Sequence, residues 1–197
     1  MKPGKKLFLF CLSFCLFSTA YAQIEVARLM TKTVSPNGSG TLVNQNFSAN
    51  GFGAFLNLGF PLNTTGAITT EGGFYYFPQK DNRVIMVPAL AGYRYILTGT
   101  DYGWYVEPKF GYTFGNTNIQ KSNAIGDPLY RSNGQPLDQK VAGMTIGIGF
   151  GYLFQVIGRL RLNLGLRYEH TYVTGDPSPD ILSLRISHAL AFGRSEY

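Results

Sequence analysis

The stretch LRLNLGLRYEHTY, Leu160–Tyr172, decides the fold. One alternate set of its residues is Leu160, Leu162, Leu164, Leu166 and Tyr168, and the other is Arg161, Asn163, Gly165, Arg167 and Glu169. Successive side chains of a strand point to opposite faces, so this period of two gives one apolar face and one polar face.

Working outward, the same sorting recurs. In Ala142–Phe154, Met144, Ile146, Ile148, Phe150, Tyr152 and Phe154 oppose Gly143, Thr145, Gly147, Gly149 and Gly151. Trp104–Phe114 sets Trp104, Val106, Phe110, Tyr112 and Phe114 against Tyr105, Glu107, Lys109, Gly111 and Thr113. Gly51–Phe60 and Ile181–Phe192 alternate likewise. Ala67–Phe77, with Glu71 on its polar side, Val84–Tyr95, with Arg94 on its polar side, and Ile24–Lys32 bring the expected strands to eight. The start of the first strand carries no mark in the sequence.

The connections alternate too. Asn63–Gly66, Thr98–Asp101 and Val156–Gly158 are short turns, whereas Val34–Gln45, Pro78–Arg83, Gly115–Gln139 and Thr174–Asp180 are longer or rich in polar residues, Gly and Pro. Short and long connections therefore fall at opposite poles, the arrangement of outer-membrane barrels. Composition agrees. Hydrophobic residues make up 45% and charged ones 14%, which excludes a disordered chain, and 15% aromatics with 24 glycines favour strands over helices.

Lys2, Lys5 and Lys6 precede the apolar run Leu7–Phe17, and Ala20 and Ala22 supply the small residues that a signal peptidase reads. Residues 1–22 are expected to be a signal peptide and 23–197 one barrel domain. The run is too short for a bilayer-spanning helix, and no later segment offers 18 consecutive apolar residues. Both cysteines, Cys11 and Cys15, lie in the leader, so the mature chain has no thiol for a disulfide, a metal or catalysis. Phe14 is too bulky for a lipoprotein signal at Cys15. Without the leader's three lysines the charge falls from +6 to +3, and the bases alternate with apolar residues instead of clustering, so nucleic-acid binding is not expected.

Alternation does not distinguish a membrane barrel from a soluble, lipocalin-like one, which turns its apolar residues inward around a ligand. Side-chain size does. The polar faces are dominated by Gly, Ser, Ala and Thr, suited to a narrow filled lumen, while the other faces carry large groups with nothing but lipid to meet. The expected lumen ion pairs join Glu71, Glu107 and Glu169 with Arg94, Lys109, Arg161, Arg167 and Arg185. Aromatics gather at both poles: Phe60, Tyr93, Tyr95, Trp104, Tyr152, Phe154 and Phe192 at the short-turn ends, and Phe74, Tyr76, Tyr112, Phe114, Tyr168 and Tyr172 at the long-loop ends. Such girdles mark the two membrane interfaces. The expected fold is an eight-stranded antiparallel up-and-down transmembrane β-barrel, closed because lipid offers no hydrogen bonds to a free edge.

With Gly51-Phe52 opening a strand that ends in Phe60-Pro61, the run Val87–Tyr95 and the run Gly147–Tyr152, residues 24–192 resemble the small PorT-like outer-membrane barrels of Bacteroidetes and, more distantly, OmpA and OmpX type barrels. The resemblance implies a cell outer-membrane location in a Gram-negative bacterium, with outer-membrane lipid and the barrel assembly machinery as partners. It further implies that Phe192, with Leu184, Ile186 and Leu190, is the assembly signal, although Gly193–Tyr197 follow it.

Candidate chemistry is sparse. His170 and Glu169 are sequence neighbours and point to opposite faces, so they form no dyad. His188 falls on the lipid face, and Leu190 stands where a lipid A deacylase would place its Ser, which argues against a lipid-modifying enzyme. Asp127, Asp138, Asp176 and Asp180 match no calcium loop and read as solvated loop residues. No metal, cofactor or catalytic residue is expected, and the chain reads as a non-enzyme. Lys121, Asp127, Tyr130, Arg131 and Asp138 on Gly115–Gln139 are the candidate contact surface for a protein partner, since loops on rigid scaffolds carry recognition.

Overall fold

The computed structural model describes residues 19–36, 42–78, 83–100, 102–117, 139–157, 160–173 and 178–190. Eight strands follow one another: β1 (Thr19–Pro36), β2 (Leu42–Pro61), β3 (Gly66–Pro78), β4 (Arg83–Ile96), β5 (Gly103–Thr117), β6 (Gln139–Ile157), β7 (Leu160–Tyr172) and β8 (Asp180–Leu190). Each pairs antiparallel with the next, and β8 closes on β1 over Tyr21↔Ala189 to Met30↔Asp180. The result is a closed up-and-down barrel, as expected from the alternation.

The outward face is apolar and the inward face polar. Leu166 is 54% exposed, whereas its neighbour Arg167 is 1% exposed and Arg185 is fully enclosed. Met144, Ile146, Ile148 and Phe150 likewise stand on the outer surface, so the orientation is opposite to that of a soluble ligand-binding barrel. Trp104, Tyr93, Tyr95 and Phe154 ring the short-turn end, and Tyr112, Phe114, Tyr168 and Tyr172 ring the other. Trp104 stacks on Phe150 at 5.1 Å and meets Tyr152 edge-on at 5.2 Å, so the rings pack on one another along the wall.

Several strands run further than expected. β1 reaches Pro36 and β2 begins at Leu42, inside the expected loop Val34–Gln45. Their mutual pairing extends to Pro36↔Leu42, while β1 leaves β8 at Met30 and β2 leaves β3 at Phe52↔Tyr76. The β1–β2 hairpin thus rises above the rim as a two-stranded ribbon. Asp180, expected in a loop, opens β8 opposite His170.

The lumen is packed in layers. Toward the long-loop end, Ala27, Leu29, Ala49, Phe55, Tyr75, Phe77, Val84, Met86 and Ile181 form an apolar cluster. Toward the short-turn end, Ile96, Tyr105 and Leu153 form a second. Charged side chains fill the space between them. The glycines of β6 and β7 make the room: a Cβ on Gly149 would lie 2.6 Å from the Arg185 guanidinium, and one on Gly151 would lie 2.6 Å from the Tyr105 hydroxyl and 2.5 Å from the Leu164 carbonyl.

Candidate functional site

The charged layer is built around two hubs. Glu107 on β5 is the anionic hub: its Oε2 lies 3.2 Å from Arg94 Nη2, 2.7 Å from Arg185 Nη2 and 3.6 Å from Lys109 Nζ. Thr69 Oγ1 donates to its other oxygen at 2.8 Å. Arg167 on β7 is the cationic hub, with Nη1 at 2.7 Å from Glu71 and 3.0 Å from Glu25, and Nη2 at 2.6 Å from Glu169. A salt bridge between Lys109 and Glu71 joins the hubs. Four cations face four anions in one alternating network, all buried.

Neutral groups hold these charges in place. The Tyr75 hydroxyl donates to Glu25 Oε2 at 2.6 Å, and the Gln23 amide donates to the other Glu25 oxygen. Arg185 donates from Nε and Nη2 to the Tyr105 hydroxyl, at 3.0 and 2.6 Å, and that hydroxyl donates to Asn163 Oδ1 at 2.8 Å. Arg94 lies over the rings of Tyr105 and Tyr21 at 4.8 and 5.4 Å, and Arg167 over that of Phe55 at 4.7 Å. Charges removed from water are tolerable only when paired and hydrogen-bonded in this way. The formal charges of the layer balance, and its side chains are buried against one another. Among the described residues, no group of three or more His, Cys, Asp or Glu is placed to hold a metal.

Seven of the eight expected lumen charges meet in this layer: Glu71, Arg94, Glu107, Lys109, Arg167, Glu169 and Arg185. Arg161, on the same face of β7, is half-buried nearer the short-turn end, opposite Gln155 and Ala189. Glu25 was missed, although its signal is the same alternation, a carboxylate between Ile24 and Val26. Lys121, Asp127, Tyr130, Arg131, Asp138 and Phe192 lie outside the described residues.

On the outer wall, His170 Nδ1 lies 2.7 Å from Asp180 Oδ1, and the Tyr168 hydroxyl donates to the same oxygen at 2.6 Å. The His170 ring meets Tyr172 edge-on at 4.4 Å. The partner of His170 is therefore a carboxylate on the next strand, not Glu169. His188 is exposed on the outer face between Ala22 and Leu162, two residues before the end of β8. That height places it near the short-turn girdle.

No protein-family model matches the chain, and no curated protein matches it. Solved structures do. Ail, the attachment invasion locus protein of Yersinia pestis, crystallised with the heparin analogue sucrose octasulfate, superposes with a TM-score of 0.56 at 12% identity, covering 87% of this chain and 98% of Ail. Neisserial surface protein A superposes with a TM-score of 0.50 at 16% identity, covering 85% of this chain and 95% of the other. The fold is that of the small eight-stranded outer-membrane barrels. The resemblance to OmpA and OmpX type barrels holds at that level.

Proposed function

We propose that this chain is an integral protein of a Gram-negative outer membrane, of the small Bacteroidetes PorT-like type. In this reading its sealed barrel is a structural scaffold that presents outer connections to a protein partner. The observation that carries the reading is the inversion of the wall, with Leu166 outside and Arg167 inside on adjacent positions. Such a surface dissolves in hydrocarbon and not in water. Lys121, Asp127, Tyr130, Arg131 and Asp138, on the connection between β5 and β6, are the proposed contact residues. Phe192 is the proposed signal for the assembly machinery.

Export by Met1–Ala22 belongs to the same reading. β1 begins at Thr19, upstream of that cleavage. A chain starting at Gln23 keeps the seam from Gln23↔Ser187 to Met30↔Asp180 and retains Tyr105 as the ring beside Arg94. It gives up Tyr21.

Fractionation of cells, with gel mobility before and after boiling and N-terminal sequencing of the purified protein, tests the proposal. Outer-membrane recovery, a heat-shifted band and Gln23 as the first residue are expected. Recovery in the aqueous periplasm with no heat shift would overturn it. Pull-down with the parent chain and with the five contact residues changed to Ala tests the loop surface; equal capture by both would remove that surface from the proposal.

A further inference from the structure

The ladders on either side of β4 each carry a gap. Between β3 and β4 the register runs to Gly72↔Ala89 and resumes at Tyr75↔Met86, without the pairs of Gly73 with Pro88 and Phe74 with Val87. Between β4 and β5 it runs to Gly92↔Lys109 and resumes at Tyr95↔Val106, without the pairs of Tyr93 with Pro108 and Arg94 with Glu107. The register is the same before and after both gaps, so neither is a bulge. Each contains a proline, which has no N–H to give, and each proline still pairs on its other side, Pro88 with Thr113 and Pro108 with Ile148. Among the described residues the other seams run without a missing pair, apart from the irregularity between Gln155 and Ile157. A closed barrel has no edge strand where a proline is harmless, and both defects here flank one strand.

Side chains cross β4 on its lumen side at this height. Thr69 on β3 donates to Glu107 on β5 at 2.8 Å, and Lys109 on β5 forms a salt bridge with Glu71 on β3. They pass over Gly92, where an added Cβ would lie 2.8 Å from Lys109 Cγ and 3.1 Å from Thr69 Oγ1. Arg94 and Glu107, whose backbone pair is missing, are joined through their side chains instead, with Nη2 at 3.2 Å from both carboxylate oxygens. At the Pro88 gap the cover is apolar, the Phe55 ring lying against Gly73. On the outer face the same stretch carries Ala89, Ala91 and Gly72, and a Cβ on Gly72 would meet nothing within 4 Å.

Opening one stretch of a strand costs what its ladder bonds and packing supply, and along β4 both are reduced. We propose that β4 is the strand along which this barrel opens locally, and that the Thr69–Glu107 and Lys109–Glu71 contacts are a latch holding β3 and β5 together across it. Arg94 on Glu107 does for the Pro108 gap what the absent backbone bond does elsewhere. The device belongs to the folded barrel in detergent as in lipid and does not depend on the location proposed above.

The test is hydrogen–deuterium exchange of the full chain folded in detergent micelles, read amide by amide by NMR and corrected for intrinsic rates. Leu90, Ala91 and Gly92 should exchange about tenfold faster than Ile148, Gly149 and Phe150 on β6, whose ladders are unbroken. Pro108→Val restores an N–H opposite Tyr93 from an exposed position of the outer wall, and should slow the β4 amides about tenfold. Thr69→Val removes one arm of the latch while Glu107 keeps Arg94 and Arg185, and should speed the β4 amides by a similar factor. β4 amides as slow as those of β6 in the parent, or unmoved in Pro108→Val, would overturn the local opening. An unchanged rate in Thr69→Val, or an equal rise in β4 and β6, would overturn the latch.

Discussion

Arg185 on β8 reaches across the lumen to Glu107 on β5, Nη2 to Oε2 at 2.7 Å, and so ties together strands that share no backbone hydrogen bond. Arg94 and Lys109 converge on the same carboxylate. The ladder of each strand pair closes the wall, and these contacts brace it from within.

Glu107→Ala leaves three buried cations around an empty position. Breaking one member of a buried ionic network costs about 3–5 kcal/mol, because the partners stay desolvated and uncompensated. The urea midpoint of the heat-modifiable band should fall accordingly. The double variant Glu107→Leu with Arg185→Leu should lose less than the two single changes together, since it removes charge of both signs. Additive losses would show that the contact is not energetically coupled.

The orientation of the wall has its own test. Leu166→Arg puts a guanidinium on the lipid face of β7, which costs roughly 2–4 kcal/mol near the middle of a bilayer. Refolding yield into vesicles should drop while expression is unchanged. A variant as stable as the parent would mean that Leu166 does not face hydrocarbon.

Gly151 is a place where a methyl group has nowhere to go. Its added Cβ would meet the Leu164 carbonyl and the Tyr105 hydroxyl, the first of which is backbone and does not swing aside. Gly151→Ala should destabilise the barrel by about 1–3 kcal/mol, as overpacking does. Gly72→Ala, where an added Cβ meets nothing within 4 Å, is its control and should leave the midpoint in place.

His188→Leu replaces an exposed polar ring on the lipid face. In detergent the isolated barrel should be as stable as the parent or more so, by no more than about 1 kcal/mol this close to the interface. A loss of stability would give His188 a contact that its neighbour Leu162 does not account for.

Much of this architecture was legible because the outer wall and the lumen impose opposite demands on adjacent positions. Leu160–Tyr168 and Ala142–Phe154 obey both demands, and β7 and β6 cover them. The signal stops at the rim of the barrel. Asn44 and Gln45 continue β2 above the rim, where it pairs with β1 alone and no buried face sorts the side chains, so they read as loop. β1 was blurred for a related reason: Ala27 and Leu29 face inward to the apolar cluster while Arg28 faces outward, reversing the usual sense of the pattern. The pairing of His170 with Asp180 depends on the register between β7 and β8 across a connection, which no spacing within one strand reveals.

The layered filling of the lumen has a last consequence. At the long-loop end, Phe77 and Met86 fill the lumen with apolar side chains. The barrel's interior is masonry, bracing strands that do not touch one another in the wall.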